Sequence, residues 1–193
     1  MRKVLLCVPM MTLLLSACAV GPAKVSPAEE LALAIRGEYL ESTAWTAQVE
    51  ITADYGQRVY QYSLTASSDG EETVLTLTAP ETVEGITARL TKQDGVLEYD
   101  GLSVETGPLD ENGLTPVSAL PVLMETARSG YMTACSLEDR VLRIDCGDPE
   151  GTLGEGREVS LWFDADTHAL TQSEIRVDGF RVVACDYLSF TKE

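Results

Sequence analysis

The sequence predicts an α+β fold, a curved antiparallel sheet that forms an unclosed half-barrel with a helical plug or lid on its concave side. Three observations carry this. Apolar residues recur with period two through most of the 193 residues, Gly, Asp and Pro turn signals interrupt them at short intervals, and only two later segments switch to helical spacing. One face of each strand is apolar and the other is rich in Thr, Gln, Glu and Arg, as in antiparallel sheets with one wet face. So little helix cannot cover so long a sheet laid flat, and the sheet is expected to curl around it.

The chain opens with Met1-Arg2-Lys3, an apolar stretch over residues 4–15, and Leu15-Ser16-Ala17-Cys18. A basic start, a short apolar run and small residues before a cysteine form a bacterial lipoprotein signal. This predicts a signal peptide over residues 1–17, the lipidated Cys18 with its tether over 18–26, and one domain over 27–193. An uncleaved membrane anchor is the alternative. It would need about 20 apolar residues, whereas this run is interrupted by Pro9 and followed by Gly21-Pro22. With about 0.8 kcal/mol per buried CH₂, two acyl chains on Cys18 suffice for stable anchoring. The expected location is a cell membrane, lipid-anchored, on the extracytoplasmic face.

Ser26-Pro27-Ala28-Glu29 has the form of a capping box with proline at the first helical position, and Leu31, Ile35 and Tyr39 follow at helical spacing. A helix over Pro27–Glu41 is predicted. The period then changes to two. Trp45, Ala47, Val49 and Ile51 mark a first strand, Tyr60, Tyr62, Leu64 and Ala66 a second, and Leu75 and Leu77 a third, with turns at Asp54-Tyr55-Gly56 and Ser68-Asp69-Gly70. Pro80 ends the third. Ile86, Ala88 and Leu90 lead into the Asp94-Gly95 turn, and Leu97 and Tyr99 into Asp100-Gly101.

A loop over residues 107–115 precedes a second helix, on which Val117, Leu120, Leu123, Met124 and Ala127 share a face. Gly130 is expected to stop it and Pro121 to kink or divide it. Beyond lie strands over 131–137 and 140–146, a glycine-rich loop over 147–156, and three late strands over 159–163, 173–177 and 180–190. No internal repeat or linker suggests a second domain.

Charge narrows the partners. The chain has 14 basic and 31 acidic side chains, a formal charge of −17, and signal removal takes Arg2 and Lys3 but no acid. Nucleic acid is excluded as a partner, because polyanion binding needs Lys and Arg to neutralise phosphates. An acidic surface also keeps an exported protein soluble.

Enzymatic chemistry finds little support. The single histidine, His168, follows Asp164-Ala165-Asp166-Thr167 and reads as an exposed turn residue. There is no Gly-x-Ser-x-Gly, phosphate-binding glycine loop or His-Glu-x-x-His. Read as a calcium loop from Asp164, the stretch has Ala169 where glycine belongs and Ile175 where the bidentate glutamate belongs. No metal and no cofactor is expected. The acid pairs Glu71-Glu72 and Asp110-Glu111 read as solvated loop charge.

Cys7 leaves with the signal and Cys18 is lipidated, so Cys135, Cys146 and Cys185 remain. With a turn at Glu138-Asp139, Cys135 faces Leu142 and Cys146 faces Tyr131, about 13 Å apart along the strand at ~3.3 Å per residue. That exceeds the roughly 7 Å Cα separation a bridge tolerates. A 135–146 disulfide is disfavoured, a bridge from Cys185 to either stays open, and three reduced core thiols are the preferred reading.

Four segments carry a family resemblance: the strand from Trp45 to Ile51, Pro80-Glu81-Thr82-Val83-Glu84-Gly85-Ile86, the strand end Leu97-Glu98-Tyr99-Asp100-Gly101, and the helix over 116–127 after a loop. In their order, over roughly residues 28–192, the chain resembles the lipoprotein-carrier superfamily typified by LolA and LolB. The resemblance implies a half-barrel with a helical lid and a hydrophobic cavity for acyl chains. It departs from the soluble carriers in having its own Cys18.

The residues expected to line such a cavity are Trp45, Val49, Ile51, Tyr60, Tyr62, Leu64, Leu75, Leu77, Ile86, Leu90, Leu97 and Tyr99 on the sheet, with Leu120, Leu123 and Met124 on the plug. Tyr60 and Tyr62 would set hydroxyls at its rim. Each alone is also what an ordinary core contains. Two functions follow. The first is a membrane-anchored lipoprotein that binds a lipid or a lipoprotein acyl chain in the half-barrel, in envelope lipid trafficking. The second is a non-catalytic interaction or envelope-stress sensor lipoprotein with a filled core, whose partner is an envelope protein docked on the acidic face or the 147–156 loop. An open cavity favours the first, and a filled interior beside an exposed apolar patch favours the second.

Overall fold

The Ser26 hydroxyl accepts from the Glu29 amide at 3.2 Å while the Glu29 carboxylate accepts from the Ser26 amide at 2.7 Å. With Pro27 opening the first turn, helix α1 (Pro27–Glu41) starts where the sequence predicts. The computed structural model describes residues 25–107, 110, 112–152 and 154–193. The expected signal peptide, Cys18 and the expected tether up to residue 24 lie outside the described residues. No helix among the described residues is long and apolar enough to cross a membrane.

Period-two alternation becomes strands β1 (Trp45–Asp54), β2 (Val59–Ser68), β3 (Thr73–Ala79), β4 (Thr87–Leu90), β5 (Gly95–Tyr99) and β6 (Leu102–Glu105). Helix α2 (Pro116–Ser129) then leads to β7 (Met132–Glu138), β8 (Val141–Cys146), β9 (Arg157–Asp164), β10 (Leu170–Val177) and β11 (Phe180–Lys192). All eleven strands form one antiparallel sheet in the order β6-β5-β4-β3-β2-β1-β11-β10-β9-β8-β7. Its two ends do not pair with each other, so the half-barrel is unclosed, as expected. Two meanders meet at the β1–β11 seam, a pairing that no local pattern foretold, and α2 carries the chain from one sheet edge to the other.

Both helices lie against the concave face, where α1 touches β7 and β8 and α2 touches β1 and β9. Ala32, Ile35 and Tyr39 of α1 join Leu120, Leu123, Met124 and Ala127 of α2 and the inward strand residues in one core. Tyr39 anchors one end of it. Its ring sits edge-on to Phe163 at 5.4 Å and stacks on Phe190 at 5.8 Å, and its hydroxyl donates to the His168 carbonyl at 3.2 Å.

Several expectations are corrected. Helix α2 runs through Pro121 undivided, because the amide that proline lacks would have served only the Val117 carbonyl in the second helical turn. Gly130 ends α2 with φ of −58° rather than in the left-handed conformation. Glycine is needed there for space, since a Cβ would lie 2.6 Å from Thr126 Cγ2 and 2.7 Å from the Thr126 carbonyl oxygen. The β7–β8 turn falls at Asp139-Arg140, at φ of 45° and 67°, a two-residue loop that matches strand twist. Cys135 therefore faces Ile144, and Cys146 faces Met132. Cys135, Cys146 and Cys185 are all free thiols, and burial pushes that of Cys185 up to about 12.

His168 is also not the freely exposed turn residue expected. It sits in the β9–β10 turn at φ of 58°, and its Nδ1 lies 2.8 Å from Glu38 Oε1. Lys192 donates to the other oxygen of Glu38 at 2.8 Å. Glu38 thus ties α1 to that turn and to β11. The hydrogen bond from Lys192 is the main effect holding the Glu38 carboxyl below its ordinary value of 4.5; burial opposes it, and His168 adds to the lowering. A group ionised more readily when folded stabilises the fold above its unfolded pKa and ceases to do so as the pH falls through its folded pKa. Glu38→Gln should accordingly lower the urea midpoint at pH 7 and leave it unchanged once the pH is below the carboxylate range. An equal loss at both pH values would show that packing, not charge, is at work.

Candidate binding surface

Strand register sets the expected cavity residues in rows across the concave face. One row runs Ala47, Ala66, Leu75, Ala88, Leu97 and Val104 from β1 to β6. Beside it Val49 pairs with Leu64 and Leu64 with Leu77, while Ile51 pairs with Tyr62 and Ala53 with Tyr60. Period-two alternation thus brings the sheet candidates onto one face.

Most of that face is filled. Trp45, Val49, Ile51, Leu64, Leu75, Leu90, Leu120, Leu123 and Met124 are buried in the common core, and Leu77 and Leu97 pack against it partly buried. Ile86 and Tyr62 are half-buried. Between α2 and the sheet, Leu64, Leu75, Leu77, Ile86, Ala88 and Val117 enclose a void of about 10 Å³. That is about the room one water needs and far too little for an acyl chain.

The same face continues bare beyond the helices. Tyr60 is 37% exposed and Tyr99 53%, and in β6 Leu102 is 73% and Val104 61% exposed. Leu102 pairs with Tyr99 and Val104 with Leu97, so both β6 side chains belong to the concave face. Tyr55, Tyr60 and Tyr62 form a ladder at one rim, with ring centroids 6.0 and 6.3 Å apart, and the Tyr55 hydroxyl donates to the Leu114 carbonyl at 3.0 Å. Leu102 and Val104 were not singled out from the sequence. The signal was there in Asp100-Gly101, a two-residue turn between Leu97/Tyr99 and Leu102/Val104.

A cleft of about 480 Å³ lies on the opposite face beneath the 147–156 loop and takes in Arg143, Asp145, Glu158, Ser160 and Arg176. Its polar groups already serve one another. Arg143 donates to Asp145 at 2.9 Å, Ser160 donates to the same oxygen at 2.6 Å, and the Arg143 guanidinium rests 5.2 Å from the Trp162 ring centre. Arg176 is held by Glu174 at 2.6 Å. The Asp164 carboxylate accepts from the Asp166 and Thr167 amides of its own turn. No group of three or more His, Cys, Asp or Glu suited to a metal ion occurs among the described residues.

No family model matches the sequence, and no curated protein matches it. Among solved structures the chain is similar to an uncharacterized conserved protein from Thermus thermophilus, with 10% identity and a TM-score of 0.50 over 87% of this chain and 88% of that one. It is also similar to the LolA superfamily protein NE2245 from Nitrosomonas europaea, at 12% identity and a TM-score of 0.44 over 86% and 93%. A third is the CwlD amidase from Clostridioides difficile in complex with the GerS lipoprotein, at 14% identity and 0.47 over 87% and 97%. At these identities the likeness is one of fold.

Proposed function

We propose that this is a lipoprotein, anchored through Cys18 at the extracytoplasmic face of a cell membrane. Its half-barrel would be a non-catalytic binding module that docks an envelope protein on the bare apolar surface over β5 and β6. One observation carries this reading. Where α2 meets β2, β3 and β4 the concave face is filled down to a void of about 10 Å³, with a half-open cleft of about 230 Å³ beside Trp45, Leu90 and Met124, yet it runs on uncovered through Tyr99, Leu102 and Val104. An exposed apolar strip on so acidic a chain is the kind of surface that marks a partner site.

The acyl-binding reading is favoured by a different observation, the wholly apolar lining of that void. It requires α2 to lift from the sheet. Site-specific photo-crosslinking separates the two in living cells of the source organism, with the reactive side chain at Leu102 or at Leu77. The docking reading expects a discrete protein adduct from Leu102 and none from Leu77. Lipid adducts from Leu77, with Leu102 unlinked, would replace it with the acyl-binding one.

A further inference from the structure

Strand β6 ends the sheet on one side and, among the described residues, pairs only with β5. The Thr106 amide donates inward to the Gly95 carbonyl at 2.8 Å. Alternation along an antiparallel strand then directs the amides of Leu102 and Val104 inward too, and those of Ser103 and Glu105 away from the sheet. The edge therefore offers outward amides and carbonyls at Ser103 and Glu105, flanked on the concave side by the exposed Leu102 and Val104. Neither proline nor lysine, the usual guards of such an edge, occurs in β6.

Charge selects the occupant. On the face opposite Leu102 and Val104 stands Glu105, which makes no ion pair among the described residues, and Ser103 pairs there with Glu98. Asp100 lies in the adjoining turn. Arg89 serves Glu98 and Glu72 at 3.3 and 3.0 Å. A second copy of this chain would bring the same acids to the seam and carries a strong net negative charge of its own, so like charges oppose self-pairing.

We propose that β6 is a strand-addition site for an extended segment of a partner protein in which apolar and basic residues alternate. Backbone hydrogen bonds to Ser103 and Glu105 would add it as a further strand. Its apolar side chains would cover Leu102 and Val104, and its basic ones would lie beside Glu105. This rests on the docking reading above and adds the backbone mode and the partner's chemistry.

The test uses the full lipidated protein in phosphatidylcholine nanodiscs, with two fluorescent ten-residue probes, one alternating Lys and Val and the other Glu and Val. The Lys–Val peptide should bind, more weakly at higher salt, and protect the amides of residues 103 and 105 from exchange. The Glu–Val peptide should not. Ser103→Pro removes an outward donor that the sheet does not use, so the fold should keep its melting temperature while affinity falls at least about tenfold. Ser103→Ala should bind as the parent does. Equal binding of both peptides, or a Ser103→Pro variant that binds unchanged, would overturn strand addition. So would a dimer by sedimentation that Ser103→Pro abolishes, since the occupant would then be a second copy. If the Leu102 adduct persists in Ser103→Pro cells, the docking surface stands and only its backbone mode falls.

Discussion

Leu123→Ala should lower unfolding stability by about 3 kcal/mol, within the 2–5 kcal/mol span of buried leucine truncations. Leu123 is wholly buried on α2, inside the core that both helices share with the sheet. Removing its branched end withdraws apolar contacts from both layers, and close packing restrains collapse of the space left behind. Urea unfolding followed by circular dichroism measures the loss from the shift in midpoint. A shift worth under 1 kcal/mol would mean that α2 rides loosely over the sheet, as a lid above an acyl pocket must. The same experiment therefore bears on the choice between a filled module and an acyl carrier.

Arg128→Ala should cost about 2 kcal/mol through a different physical cause. The last turn of α1 contains no basic residue of its own. Arg128, in the last turn of α2, supplies the missing cation. Its Nε donates to the Tyr39 carbonyl at 3.1 Å and its terminal nitrogen to the Ser42 carbonyl at 3.2 Å. Carbonyls at a helix end have no partner within the helix, and hydrogen bonds from a charged donor contribute about 1.5–3 kcal/mol each when buried. Partial exposure of Arg128 places the pair toward the low end. Arg128→Lys should recover only part of the loss, because an ammonium lacks the fork that spans both acceptors. Full recovery with lysine would show that charge at the helix end, and not the two directed bonds, holds the helices together.

Local chemistry was legible and long-range chemistry was not. The start of α1 followed from Ser26, Pro27 and Glu29, and the strands from alternation such as Trp45-Thr46-Ala47-Gln48-Val49, because these signals act within a few residues. The partners of Arg128, the hold of Glu38 on His168 and the β1–β11 pairing all join distant segments whose composition says nothing of each other. At the candidate surface, alternation correctly assigned Leu64, Leu75 and Leu97 to a shared face. It could not say how much of that face the helices fill, because volume depends on how closely α2 approaches small residues such as Ala47, Ala66 and Ala88. That is why the same residues read as a cavity from the sequence and as packed interior in the fold.

The β1–β11 seam also bears on the order of assembly. Thr46 and Thr191 meet across it at 2.6 Å although 145 residues separate them. Contacts this remote in sequence close large loops before they return any stabilisation, and they slow folding. The β1–β6 meander can form early by successive hairpins, but β1 then keeps one unsatisfied edge until β11 arrives. A chain crossing a membrane unfolded would thus pass through a half-assembled state with a long, apolar strand edge open. Docking of β11 would be the committing step, and the interval before it the time when proteases and aggregation threaten the protein most.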